Sequence, residues 1–309
     1  MRPRVLITDN DLGDSGLESS ALDEALQAEV VVRQFRSESE VVEGVRDIRP
    51  DALIVQWAPI TASVLDAMPQ CKVISRLGIG VHMIDLDAAR ERGVVVRNVP
   101  DYCIEEVATH AFASALSLWR RLPALDAQVR AGEWSAIRHA PHIRRLSTAT
   151  VGIVGLGRIG RSVAQGFRAW GSTIIAYDPI ATSSDIPLVD LPTLLAQSDV
   201  ISLHAPLNDE TRHMIDEEAI GLMGRSPIIV NTSRGPLIDE AALAAGLACG
   251  KVGGAALDVF AVEPLDAHSP LRHLDNVILT PHAAWASEQA LPDLRRLATQ
   301  NIIDFYTST

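Results

Sequence analysis

Val151-Gly-Ile-Val-Gly155-Leu-Gly157-Arg-Ile-Gly160 is an apolar, β-prone run that empties into three glycines spaced Gly-x-Gly-x-x-Gly. Residues 159–169 continue with helical periodicity, and Thr173-Ile-Ile-Ala-Tyr177 reads as a second strand with Asp178 at its end. A glycine string between a strand and a helix, with an acid about 20 residues on, is a dinucleotide fingerprint. Gly155 permits the tight turn, Gly157 lets the backbone approach a pyrophosphate, and Gly160 allows close packing of helix on strand. The helix N-terminus adds N–H groups and partial positive charge for the diphosphate. Asp178 is placed to accept hydrogen bonds from the adenosine ribose, which points to NAD. A 2′-phosphate ~5 Å from that carboxylate would cost about 3 kcal/mol per unit charge at an effective dielectric near 20.

Outward from this turn, strands alternate with helices on both sides. Strands are expected at 4–8, 30–34, 52–56, 73–76 and 94–97, with helices at 19–28, 38–48, 61–67 and 86–92. After Asp178, strands are expected at 200–203, 228–231, 253–257 and 277–279, with helices near 191–197, 217–222 and 240–248. Such βα alternation means parallel sheets covered on both faces, with ligands at the carboxyl ends of the strands. In the first 99 residues that edge holds Gln56-Trp57-Ala58-Pro59 and Arg76-Leu77-Gly78-Ile79-Gly80. The paired glycines suit either a backbone nest for a carboxylate or a plain turn. Asn98-Val99-Pro100 marks a crossing point. A helix at 104–120 follows, broken by Pro123 and resumed to 131, then an irregular insert at 132–149; an arm to a second subunit and a surface loop both account for the insert. A final amphipathic helix spans 287 to about 306, interrupted or started at Pro292.

With 309 residues, 47% of them hydrophobic, the chain is expected to build two domains with large cores. Its net charge of −12 disfavours a nucleic-acid surface. Cys71, Cys103 and Cys249 lie far apart without a CxxC, so no metal site or disulfide framework is expected, and all three read as buried small hydrophobes. The N-terminal run lacks the apolar core and cleavage site of a signal peptide, and no stretch reaches the ~18 apolar residues of a membrane span. A cytoplasmic protein is expected, with no membrane partner.

Three strings just past apolar strands carry the chemistry: Asn231-Thr-Ser-Arg234-Gly235, Asp258-Val-Phe-Ala-Val-Glu263-Pro264 and Thr280-Pro-His282-Ala-Ala284. Arginine offers a planar fork to an α-keto carboxylate. Histidine exchanges protons near neutrality, and a nearby glutamate orients the imidazole and favours its protonated form. Together, beside a dinucleotide, they make a proton-coupled hydride-transfer site.

These stretches, with residues 76–85, 198–211, 229–239, 254–264 and 279–284, resemble the D-isomer-specific 2-hydroxyacid dehydrogenases over essentially the whole chain. Pro281-His-Ala-Ala-Trp285-Ala-Ser-Glu288-Gln looks most like that family's C-terminal-binding-protein branch. The resemblance implies two Rossmann-like domains: a flavodoxin-like substrate domain (1–99 with 286–309) and an inserted NAD-binding doubly wound parallel sheet (100–285). Residues 120–149 would form the dimerisation arm of a homodimer. It implies NAD-dependent reduction of a small 2-oxo acid to the D-2-hydroxy acid, and the reverse, with NADH preferred over NADPH. His282 would be the acid/base, Glu263 its partner, and Arg234 the binder of the substrate carboxylate. Asp258 would accept from the nicotinamide carboxamide. Leu156, Arg158, Ile159, His204, Ala205, Pro206, Thr211, Thr232, Ser233 and Ala284 would line the cofactor groove with the glycines. Backbone around Gly78, Ile79 and Gly80 would hold the carboxylate, with Arg76 and Trp285 shaping the side-chain pocket. An NADH-sensing binding protein and a phosphite-type dehydrogenase are the alternatives on the same framework. Two departures stand out: His82-Met83 replaces the family's Asp-Asn, with His82 read as a loop histidine, and Val107 replaces a cofactor-contacting Thr.

Overall fold

Apolar runs at the strand positions join two separate parallel sheets in the computed structural model, which describes residues 2–181 and 184–308. Met1 and Thr309, the outer bounds of the expected substrate domain, lie outside the described residues, as do residues 182 and 183. The chain divides into two compact units, Met1–Cys103 with Ala286–Thr309, and Ile104–Trp285.

The first unit runs β1 (Arg4–Ile7), α1 (Gly16–Leu26), β2 (Glu29–Val32), α2 (Glu38–Ile48), β3 (Ala52–Val55), α3 (Ala62–Asp66), β4 (Val73–Arg76), α4 (Leu86–Glu91) and β5 (Val95–Arg97), in the sheet order β2-β1-β3-β4-β5. Alternate residues feed two cores, as the two-residue period of a strand requires. Leu6, Leu53 and Ile74 pack with Val41 and Val45 of α2; Val5, Ile54 and Val73 belong to the opposite layer.

The second unit runs α5 (Ile104–Trp119), α6 (Leu122–Arg130), β6 (Thr150–Val154), α7 (Arg158–Ala169), β7 (Thr173–Tyr177), α8 (Leu191–Gln197), β8 (Val200–Leu203), α9 (Glu217–Leu222), β9 (Ile228–Asn231), α10 (Glu240–Ala248), β10 (Gly254–Leu257) and β11 (Val277–Leu279). Its sheet order is β11-β10-β9-β8-β6-β7, so chain direction across the sheet reverses at β6/β8. One face packs Val154, Leu203 and Ile229 with Leu194, Ile220 and Leu243; the other packs Ile153, Val200 and Val230 with Ala111 of α5 and Phe167 of α7. Strands β8, β9 and β10 are buried throughout, which is why they read as unbroken apolar runs. α8, α9 and α10 each start on an aspartate (Asp190, Asp216, Asp239) whose carboxylate accepts an N–H of the first turn. The last helix, α11 (Ala290–Thr307), returns to the first unit, where Leu294, Ala298 and Ile302 complete the Val5/Ile54 core.

Two expectations need correction, and a third is decided between its alternatives. The break after α5 falls at Arg121, which adopts a left-handed backbone (φ 55°), and Pro123 sits in the first turn of α6, where its missing N–H costs nothing. Of the two readings of Pro292 the structure takes the second: it falls in the first turn of α11, which begins at Ala290, and does not interrupt the helix. Cys249 is exposed, because it caps the end of α10 ahead of Gly250; only Cys71 and Cys103 are buried. Among the described residues no helix is long and apolar enough to cross a membrane.

Candidate active site

In the second unit every expected functional group follows the carboxyl end of a parallel strand: Gly155 after β6, Asp178 after β7, His204 after β8, Thr232 to Arg234 after β9, Asp258 after β10 and His282 after β11. The sheet order therefore puts Asp178 on one side of the β6/β8 reversal and the Arg, Glu and His strings on the other. A dinucleotide lies across such a reversal point in doubly wound sheets.

The turn itself fits that ligand. Gly155 has φ +93°, and a Cβ there would lie 2.8 Å from the His204 carbonyl carbon. A Cβ on Gly160 would come 2.1 Å from the Gly155 oxygen, whereas one on Gly157 would enter open space, the room a pyrophosphate needs. Gly157 caps α7 without a side-chain bond, so the helix N–H groups there have no side-chain cap. Asp178 is half-buried. Burial pushes its carboxyl up, but N–H bonds from Leu156 (2.8 Å), Ile180 and Ala181, with Arg161 nearby, outweigh this and hold it below the usual carboxylate range. It is thus an anion at the point where ribose hydroxyls would meet it.

Two buried polar atoms just past β8 and β9 lack hydrogen-bond partners, His204 Nδ1 and Thr232 Oγ1. Part of His204 reaches the surface, yet its Nδ1 is sealed, and its other ring nitrogen pairs with Ser202 Oγ at 2.8 Å. Burial lowers this imidazole to about 4, so it is neutral at neutral pH. Ser233 Oγ donates to the Leu203 carbonyl, and Thr211 Oγ1 donates to the Pro206 carbonyl, tying the loop after β8. Ala205 and Ala284 are buried; Arg158 is exposed at the first position of α7.

Arg234, Glu263 and His282 come together. His282 Nδ1 lies 2.8 Å from Glu263 Oε2. Burial raises the Glu263 carboxyl, but His282, the Phe260 N–H (3.0 Å) and the charge of Arg234 outweigh it and hold Glu263 below the ordinary range. The approach depends on Gly235: a Cβ there would lie 1.9 Å from the Phe260 carbonyl carbon. Asn231 closes the Arg234 loop by donating to the Arg234 carbonyl and accepting from the Ser233 N–H. His282 itself has a left-handed backbone (φ 53°), held where its N–H donates to the Asp258 carbonyl. Asp258, 1% exposed, accepts from Thr280 Oγ1 and Ala283 N on Oδ1 and from Ala284 N on Oδ2. One accepted bond on Oδ2 leaves a lone pair there.

In the first unit, Gly78 has φ +137° and the Arg76 guanidinium fills the place a Cβ would take, with its Cζ 5.2 Å from the Trp57 ring centre. The Gly78 N–H donates to the Arg76 carbonyl, so of the three backbone donors expected for a carboxylate only those of Ile79 and Gly80 are candidates. Ile79 is pinned by Asn98, whose amide donates to its carbonyl. His82 is exposed. Among the described residues no group of three or more His, Cys, Asp or Glu side chains is placed to hold a metal ion. Sequence reasoning placed Gly235 and Thr280 inside the strings that carry the chemistry without giving either a role, and it missed His110, which lies 170 positions from the threonine it meets.

Residues 112–284 match the profile of the D-isomer specific 2-hydroxyacid dehydrogenase NAD binding domain. The chain is 37% identical over 314 residues to a glyoxylate reductase of Korarchaeum cryptofilum, covering 99% of this chain and 93% of that protein. It is 44% identical over 246 residues to a D-3-phosphoglycerate dehydrogenase of Mycobacterium bovis, covering 78% of this chain but 46% of the relative. Among solved structures, a D-lactate dehydrogenase of Aquifex aeolicus complexed with NAD and lactic acid superposes with a TM-score of 0.87 at 30% identity, covering 98% of this chain and 96% of that one.

Proposed function

Because the chain belongs to the D-isomer specific 2-hydroxyacid dehydrogenase family of NAD-dependent oxidoreductases, we propose that it reduces a small 2-oxo acid to the D-2-hydroxy acid, with NADH preferred over NADPH. Bound NADH supplies the hydride for the carbonyl carbon, and NAD takes it back in the reverse direction. Gly155, Gly157 and the start of α7 hold the diphosphate, and Asp178 takes the ribose hydroxyls. Thr232 and His204 would offer their buried polar atoms to the groove, and Asp258 would accept from the carboxamide.

Arg234 binds the substrate carboxylate through its planar guanidinium, which one hydrogen bond from Nη1 to the Ser233 carbonyl helps to fix. Glu263, ionised, holds the proton on His282 Nδ1, so proton donation to the carbonyl oxygen falls to Nε2. In oxidation the same Nε2 accepts the hydroxyl proton. The 2.8 Å bond between His282 and Glu263, with Arg234 acting on the same carboxylate, carries this reading.

A homodimer through residues 120–149 accompanies it. Trp134 and Ile137 are 90% and 83% exposed, and the segment holds six arginines against two acidic residues in a chain of net charge −12, so a second copy offers charge complementarity. Trp134→Glu should then yield monomers in sedimentation. The test of the reaction is loss of NADH absorbance against a panel of 2-oxo acids, starting with the two-carbon acid named for the archaeal relative. Turnover of at least one supports the reading; NADH binding without absorbance loss across the panel overturns it in favour of a sensor.

A further inference from the structure

We propose that His110 is a positioning residue for His282, acting through Thr280 and Asp258. His110 sits mid-way along α5, the helix laid across β9 and β10 and against β11. Its Nε2 lies 3.2 Å from Thr280 Oγ1 and 4.0 Å from Asp258 Oδ1. The Thr280 hydroxyl has one proton, which it donates to Asp258 Oδ1 at 2.5 Å. Towards His110 that oxygen can only accept, so the imidazole must carry its proton on Nε2. The direction of the chain is therefore set: His110 donates to Thr280, and Thr280 donates to Asp258.

Asp258 in turn gathers three successive N–H groups. Its carbonyl takes that of His282 (2.8 Å), Oδ1 that of Ala283 (2.8 Å) and Oδ2 that of Ala284 (2.9 Å). His282 needs this grip, because a left-handed backbone is costly for a residue with a Cβ and persists only where its surroundings impose it. The Asp258 carboxylate is buried, so its orientation is set by its donors rather than by water. Removing the donor behind Thr280 frees that hydroxyl to rotate, loosens Oδ1, and lets the 282–284 segment drift, moving the imidazole relative to Glu263.

This inference rests on reading His282 as the proton donor, so its test has an arm that does not need turnover. The variants are His110→Leu, His110→Gln and Thr280→Val, and the readouts are kcat, KM for the oxo acid, and the ring 15N and 1H resonances of His282 without substrate. His110→Leu should lower kcat about 10- to 100-fold, the cost of a misplacement of about an ångström, with KM little changed. It should also shift the His282 resonances. His110→Gln, whose side-chain amide can donate to Thr280, should recover most of both. Thr280→Val should reproduce the leucine variant, and the double variant should be no worse than either single one, since the chain is already cut. Equal loss in the Leu and Gln variants would overturn the proposal by showing a packing role. So would wild-type kcat with unshifted His282 resonances in His110→Leu. Should the wild-type protein turn over no oxo acid, the proposed reaction fails, and the His282 resonances alone then decide the role of His110: shifted in Leu and restored in Gln supports it, unshifted overturns it.

Discussion

Gly235→Ala probes the geometry of the Arg234–Glu263–His282 set without touching any of its polar groups. Gly235 has no left-handed backbone, so alanine is conformationally allowed, and the whole effect is steric. The new methyl carbon would sit 1.9 Å from the Phe260 carbonyl carbon, 2.0 Å from its oxygen and 2.4 Å from the Ala261 nitrogen, all backbone atoms that cannot swing aside. Ordinary carbon contact begins near 3.5 Å, so the Arg234 loop and the 258–263 loop must part by roughly 1.5 Å. Arg234 then moves away from the Glu263 and His282 side chains by more than the ångström that typically costs about 10²-fold. The expected loss in kcat/KM is therefore about 10²-fold, or about 2.7 kcal/mol of transition-state stabilisation. Overpacking of about 1–3 kcal/mol should lower Tm by roughly 2–12 °C for a unit of this size. The assays are initial rates of NADH oxidation and a thermal melt, with Gly221→Ala as control because a Cβ there meets nothing within 4 Å. Gly235→Ala protein with wild-type kcat/KM and Tm would refute the reasoning.

Other perturbations act on single groups. His282→Gln should lower kcat for reduction by about 10²- to 10⁴-fold, the usual worth of a positioned general acid, and steady-state rates check it. Against the upward push of burial, Glu263 is held below the ordinary carboxylate range by the His282 hydrogen bond, the Phe260 N–H and the charge of Arg234, so it stays an anion, and reduction should persist, as the pH falls towards that range; loss of activity at higher pH with Glu263 protonated would contradict it. In Glu263→Gln the amide no longer holds the proton on His282 Nδ1, so kcat for reduction should fall about 10-fold or more; an unchanged kcat would count against the pairing. The charge of Asp178 should give NADH a kcat/KM advantage over NADPH of roughly 10²-fold, which Asp178→Ser should narrow.

Much of the architecture was legible because each element announced itself locally. Strands β8, β9 and β10 are covered on both faces and so appear as continuous apolar runs, and the aspartates ahead of α8, α9 and α10 mark helix starts. Arg121 was not legible, since a left-handed arginine between two helices has no compositional mark, and the nearby proline drew the break two residues too far. Cys249 misled because cysteine is usually buried, whereas a helix end ahead of Gly250 faces solvent. At the site, polar residues just past apolar strands stood out because parallel strands all end at one edge. The supports did not. His110 lies inside an apolar helix and meets Thr280 only through packing of α5 on the sheet, and the N–H of Gly78 is consumed by a turn that no spacing reveals.

The most direct test is a single-turnover experiment: protein loaded with NADH is mixed with an excess of a 2-oxo acid of three or more carbons, whose product is chiral, and the hydroxy acid formed is quantified and resolved by chiral chromatography. One equivalent of the D enantiomer per NADH oxidised is the predicted result. No hydroxy acid from protein that demonstrably binds NADH, or a racemic or L product, would contradict it.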